Sequence, residues 1–209
     1  MMQFSLWQAV TDDEEKWTQM LLHPNFFEEV FRDGVFVGGL GGEYKTTFLR
    51  ERLVPRLKAD DAWVIFVDLG DRRRIGAATW VHKAIQNSLL QLAEEWKVPL
   101  SFDPAKVDTE EGTTIAGAFE EIAVITGRQL VLIMADAPEL MKSCQGLGML
   151  RALKAARDAV NLRTDNREPN FLYVVGTGMD HRKIRTMARN YAQPFYGSDT
   201  WDFVPRTFE

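Results

Sequence analysis

A glycine-rich segment between an apolar run and a helical pattern carries residue types that hold phosphate groups. Gly39, Lys45 and Thr46 match the first glycine, the lysine and the hydroxyl of the phosphate-loop pattern G-x-x-x-x-G-K-[ST]. In such a loop the backbone N–H groups and the helix N-terminus bind phosphates, the lysine adds charge, and the hydroxyl helps to hold Mg²⁺. Thr46 is therefore also a predicted magnesium ligand. The predicted phosphate-binding residues of this segment are Gly39, Gly41, Gly42, Lys45, Thr46 and Thr47.

One position of this loop departs from the pattern. Tyr44 stands where the second glycine is expected. Glycine permits backbone angles and a close approach to phosphate that a residue with a Cβ resists, so a tyrosine there could crowd the phosphates or reshape the loop. The order of strand, loop and helix still predicts a phosphate-loop fold. A glycine-rich turn without a ligand is the alternative for the loop itself.

A carboxylate follows the most apolar strand candidate of the chain, residues 130–134. Phosphate-loop ATPases need a carboxylate at such a strand end to orient Mg²⁺, and many add a second one that polarises the attacking water. Here Ala135 precedes Asp136 and Ala137 follows it. Asp136 is therefore either the magnesium carboxylate or the catalytic one, and either alignment leaves one carboxylate where two are usual. A solvated aspartate that caps the next helix is the structural alternative.

Two further strand ends carry polar residues. Asp68 ends the candidate strand 63–67, where we expect a helix cap or turn role rather than a role in a site. Thr177 lies between Gly176 and Gly178 at the end of the candidate strand 171–175. A polar residue in that position can contact a terminal phosphate, so Thr177 is a predicted nucleotide-binding residue. A tight turn explains the two glycines equally well.

Strand and helix patterns alternate along the rest of the chain. Amphipathic or capped helices are predicted over residues 75–96, 113–125, 147–160 and 181–190, and a last strand over 201–204. Continuous apolar strands are covered on both faces, so the pattern predicts an α/β fold with a mainly parallel sheet sandwiched by helices. Ligands bind such sheets at the carboxyl ends of the strands, where the glycine-rich and acidic segments lie.

Length and composition limit the alternatives. The 209 residues, 45% hydrophobic and 26% charged, suit one folded core. We expect residues 35–209 to form that core and residues 1–34 to form a helical segment packing on it. The net charge of −5 does not indicate a nucleic-acid partner, although the basic run 182–189 could contact one. No signal pattern and no apolar stretch of ~20 residues occur, so we expect a cytoplasmic location without a membrane partner.

The order of these segments resembles that of bacterial ATP-binding proteins of the AAA/STAND branch of phosphate-loop ATPases. The resemblance implies an AAA-like core that binds ATP and Mg²⁺ and works with protein partners or as a homo-oligomer. It also implies that Asp136 occupies the catalytic glutamate position, while Ala135 replaces the magnesium aspartate. The helical lid of such relatives is expected to be absent, because the sequence stops at Glu209. The segments that carry the resemblance are residues 32–39, 45–50, 64–69, 153–161, 174–178 and 193–197.

Three functions follow as hypotheses. The first is a degenerate ATPase-like domain that binds nucleotide or serves as a scaffold with partner subunits, with hydrolysis weak or lost. The second is an active magnesium-dependent ATPase that uses Lys45, Thr46 and Asp136. The third is a regulator that presents a protein- or DNA-contacting face without nucleotide.

Overall fold

Six parallel strands form a single sheet in a computed structural model that describes residues 8–22, 34–39, 42–70, 76–162 and 171–205. The spatial order of the strands is β1-β6-β2-β5-β4-β3, and every neighbouring pair is parallel. Strands β4 and β5 each have a neighbour on both sides and are buried along their whole length, as continuous apolar runs require. The strands are β1 (Gln8–Val10), β2 (Val35–Gly38), β3 (Trp63–Asp68), β4 (Leu130–Ala135), β5 (Leu172–Thr177) and β6 (Asp199–Phe203).

Helices cover both faces of the sheet, which confirms the predicted α/β sandwich. Helices α1, α2 and α3 cover one face, and α4, α5, α6 and α7 pack mainly on the other. Short 3₁₀ turns at Pro104–Lys106 and Ala137–Lys142 connect them. The helices are α1 (Glu14–Leu22), α2 (Gly42–Phe48), α3 (Val54–Ala59), α4 (Ala77–Trp96), α5 (Ile115–Thr126), α6 (Cys144–Leu162) and α7 (His181–Arg189).

The helix after β2 runs without a break from α2 into α3. A π-helical segment, Leu49–Leu53, joins the two, and Pro55 lies in the first turn of α3. Proline lacks an N–H and cannot extend a regular α-helix through its own position. The wider π turn just before it lets the helix continue past Pro55. Buried Leu49, Leu53 and Leu57 hold this helix against the sheet.

The N-terminal part of the described chain contributes a strand as well as a helix. Strand β1 pairs with β6 and extends the sheet by one strand, which the sequence did not predict. Helix α1 buries Trp17 and Leu21 against the sheet face that α2 and α3 cover. The described N-terminal residues thus add both a helix and a strand to the fold. The boundary at residue 34 remains a prediction.

Candidate functional site

The carboxyl end of β2 leads into the loop that the sequence predicts to bind phosphate. Gly39 follows β2 with φ +138°, a conformation that residues with a side chain rarely adopt. A Cβ on Gly39 would lie 2.7 Å from the carbonyl oxygen of Phe203, so the adjacent strand β6 also requires glycine here. Gly42 begins α2, whereas Gly41 lies outside the described residues. Strand β2 and helix α2 thus flank the glycine-rich segment in the order that the motif requires.

Lys45 lies buried at the centre of this region, with 2% of its surface exposed. Its Nζ donates to the carbonyl oxygen of Gly39 at 3.2 Å and to that of Gly178 at 2.8 Å. The side chain therefore connects the loop after β2 with the end of β5. Burial lowers the pKa of Lys45 to about 8, while the nearby carboxylate of Asp136 acts in the opposite direction. A buried ammonium group with mainly neutral partners is suited to bind an anion.

Thr177, the last residue of β5, lies beside this lysine contact in the chain. It pairs with Val37 of β2 in the sheet register and is 1% exposed. Its Oγ1 is buried and has no hydrogen-bond partner among the described residues. A buried hydroxyl without a partner costs free energy. A ligand oxygen at the carboxyl end of the sheet would supply the missing hydrogen bond.

Asp136 stands directly after β4, in the left-handed region with φ +56° and ψ +40°. The preceding residue, Ala135, is the last of the strand and is fully buried. The Asp136 carboxylate lies close against the backbone of Gly70, since a Cβ on Gly70 would be 2.5 Å from its Oδ2. It also acts electrostatically on Lys45. The structure thus brings Lys45, Asp136 and the end of β5 together at the carboxyl end of the sheet.

Asp68, the last residue of β3, also lies at the carboxyl end of the sheet. Its Oδ1 accepts a hydrogen bond from the N–H of Gly70 at 3.1 Å, and its Oδ2 pairs with Arg50 at 2.5 Å. In the sheet register Asp68 lies opposite Ala135. The sequence favoured a turn or cap role for Asp68, and the hydrogen bond to Gly70 is a contact of that kind. The ion pair with Arg50 was not predicted.

The two threonines after Lys45 lie on α2. Thr46 is half-buried and Thr47 is exposed. Among the described residues no three His, Cys, Asp or Glu side chains cluster in a way that could hold a metal ion by themselves. Magnesium commonly binds through one or two protein ligands together with phosphate oxygens and water, so this finding is compatible with Thr46 and Asp136 as its ligands.

Tyr44, the residue that departs from the motif, contacts the N-terminal segment and strand β6. It belongs to α2 and is not among the described residues with positive φ, so its backbone does not require glycine. Its hydroxyl donates to the buried carboxylate of Asp12, and its ring packs on Phe203 with 6.2 Å between ring centroids. The hydrogen bond to Asp12 raises the pKa of Tyr44. Arg52 lies 3.6 Å from the same carboxylate. The sequence did not reveal this contact, because Asp12 lies 32 positions away in the chain.

The arrangement of strands and helices defines the fold class of the chain. It is an α/β fold of the phosphate-loop NTPase kind with an AAA-like core, as predicted, and solved structures share it. Neither a family model nor a curated protein matches the sequence. None of the described helices has both the length and the apolar character needed to cross a membrane.

Two solved structures from Aeropyrum pernix carry this comparison. The ORC2 protein in its ADPNP–ADP complexes is 13% identical with a TM-score of 0.57, and the match covers 92% of this chain and 46% of that one. The ORC1 protein in complex with DNA is 15% identical with a TM-score of 0.51, and the match covers 93% and 45%. The chain thus spans about half the length of these proteins. At these identities the likeness concerns the fold.

Proposed function

We propose that this chain binds ATP with Mg²⁺ through the loop after β2 and hydrolyses it slowly or not at all. The observation that carries the proposal is the buried Lys45 ammonium, whose carbonyl partner Gly178 directly follows Thr177, a residue with an unsatisfied buried hydroxyl. Nζ donates hydrogen bonds to two backbone carbonyls, and the Thr177 hydroxyl has no hydrogen-bond partner among the described residues. A triphosphate supplies the anionic oxygens that both groups can bind.

The charge balance at Lys45 supports an anionic ligand. Burial disfavours the ammonium form of Lys45, and the carboxylate of Asp136 offsets only part of that effect. A phosphate oxygen would stabilise the charged form, because an opposite charge within a few ångströms raises the pKa of an amine. The N–H groups that begin the continuous helix at Gly42 would add hydrogen bonds to the same phosphates.

Tyr44 does not argue against binding. Its ring lies against Phe203 and its hydroxyl binds Asp12, both outside the contacts that Lys45 makes. We infer that the tyrosine anchors α2 to the N-terminal segment. The departure from the motif then reflects a structural link between that segment and the phosphate loop.

Slow or absent hydrolysis follows from the end of β4. The strand ends in buried Ala135, which has no carboxylate. Asp136 alone follows it, to orient Mg²⁺ or to activate water. Asp68 is held by Arg50 and by the Gly70 N–H, which makes it a poor substitute. When bound, Mg²⁺ would neutralise phosphate charge, with Thr46 and Asp136 as its nearest protein ligands. One carboxylate in place of two predicts weak turnover.

We further propose that the chain is related to the bacterial AAA/STAND branch and acts with a protein partner or as a homo-oligomer. The solved structures of similar fold are about twice as long as this chain. The fold likeness and the degenerate strand end support a nucleotide-dependent switch or scaffold.

A second candidate function rests on α7. Its buried face holds Ile184 and Met187, and its solvent face carries four exposed basic residues, Arg182, Lys183, Arg185 and Arg189. Such a stripe can contact a nucleic-acid backbone or an acidic protein. Charge reversal at Arg182 and Arg189 should abolish duplex DNA binding measured by fluorescence anisotropy at low salt. Unchanged binding, or none by the native chain, would remove this candidate.

The test of nucleotide binding is a calorimetric titration with ATP and Mg²⁺, followed by a phosphate-release assay. The native chain and a Lys16→Met control, altered at an exposed residue of α1, should bind alike. Lys45→Met should bind at least about tenfold more weakly, a loss of about 1.4 kcal/mol. Fast phosphate release that Lys45→Met abolishes would instead identify an active ATPase. Absence of binding by the native chain would overturn the proposal.

A further inference from the structure

Strand β3 ends the sheet, and its outer edge is open to pairing among the described elements. The N–H of Trp63 donates to Gln129 and that of Leu69 to Ala135, on the side of β4. In a parallel ladder, residues alternate in the direction of their backbone groups. The N–H and C=O groups of Val64, Phe66 and Asp68 therefore point away from β4, towards the open edge.

A groove of about 480 Å³ runs along this edge. The helix formed by α2 and α3 borders one side and α4 borders the other, so an extended chain lying in the groove would have walls on both sides. This volume falls within the range of ordinary ligand sites. The residues that line it are Arg50, Val54, Lys58, Val64, Ile65, Phe66, Val67, Asp68, Trp80, Lys83, Ala84, Asn87, Ser88 and Gln91.

The groove is cationic although the chain as a whole is acidic. Its charged lining residues are Arg50, Lys58, Lys83 and Asp68. Arg50 pairs with Asp68, which leaves Lys58 and Lys83 as excess positive charge, one on each wall. Neither lysine forms an ion pair with another described residue. An occupant with negative side chains would complement both walls.

We propose that this groove docks an extended acidic segment of a partner protein, which adds to the sheet as a strand beside β3. The open backbone groups provide the ladder, and Lys58 and Lys83 select acidic side chains. A second copy of the chain fits less well, because two identical edges would bring two cationic grooves together. Lysines can also protect an edge strand from pairing, and the experiment below separates this role from docking.

The probe is a short fluorescent peptide that alternates valine with glutamate, and its binding is followed by anisotropy. The native chain should bind it, and Lys58→Glu with Lys83→Glu should weaken binding by about tenfold or more. A matched control, Lys16→Glu with Lys106→Glu, has the same charge change at exposed residues outside the groove and should bind like the native chain.

Two further comparisons make the outcome specific to strand addition. The same peptide with alternate amides N-methylated should not bind, and the unmodified peptide should slow amide hydrogen exchange at Val64 and Phe66. No binding by the native chain, or equal binding by both double variants, would overturn the proposal. Self-association lost in the Lys58 and Lys83 variant, or preference for a single-stranded oligonucleotide over the peptide, would overturn it as well.

Discussion

The replacement of Lys45 by methionine should make protein stability respond to pH in a defined way. In the folded chain burial lowers the pKa of Lys45 to about 8, against 10.5 for an unperturbed lysine. Between these two pH values the unfolded chain holds a proton that the folded chain has lost. Raising the pH through this window therefore favours the folded state of the native chain, while methionine, of similar length and without charge, has no such effect.

The magnitude follows from the shift. A difference of one pKa unit corresponds to about 1.4 kcal/mol, so the full shift costs the native fold about 3 kcal/mol when Lys45 is protonated in both states. Between about pH 7 and about pH 10, the native chain should gain about 2.5 kcal/mol of unfolding free energy relative to Lys45→Met.

Urea denaturation of both proteins at several pH values measures this difference directly, because the midpoint and the slope of each curve give the unfolding free energy. Other titrating groups are common to both proteins and cancel in the difference. A difference between the two proteins that stays constant from about pH 7 to about pH 10 would refute the reasoning. It would mean that Lys45 is solvated, or paired with an anion of the protein itself.

Three other substitutions test separate parts of the site. Thr177→Val should lower ATP affinity. In urea denaturation it should leave the unfolding free energy unchanged or raise it by about 1 kcal/mol. Marked destabilisation would show that the hydroxyl already has a partner. Gly39→Ala should lower the melting temperature by straining the backbone and crowding Phe203, with a cost above about 1 kcal/mol; an unchanged melting temperature would contradict the positive φ. Tyr44→Phe should cost about 1 kcal/mol through the lost hydrogen bond to Asp12 and should leave ATP affinity intact; a changed affinity would place the hydroxyl at the nucleotide.

The elements that the sequence predicted are those whose local pattern has one explanation. The apolar run 130–134 forms the buried strand β4, and the helix predicted over 113–125 is α5, with the Thr114 side chain as its cap. Strand β1 was not predicted, because Gln8-Ala9-Val10 has no strand pattern and its pairing with β6 joins the two ends of the described chain. Local patterns do not reveal contacts at that separation.

The candidate site was predicted in its parts but not in its geometry. The residue types and their spacing identified Lys45, Thr177 and Asp136, and the parallel sheet brings their elements to one edge. The direction of Tyr44 could not be predicted, because its partners Asp12 and Phe203 are distant in sequence. The expectation of glycine at position 44 assumed that the chain turns there, whereas Tyr44 lies within α2. The roles of Thr46 and Asp136 towards Mg²⁺ remain predictions.

The central claim is that Tyr44 leaves the phosphate loop able to bind nucleotide. A titration of the native chain and of Tyr44→Gly with ATP and Mg²⁺, under identical conditions, tests it most directly. Equal affinities, with binding lost in Lys45→Met, are the result that the structure predicts. Binding by Tyr44→Gly but not by the native chain would contradict the account, and would mean that the tyrosine closes the loop to phosphate.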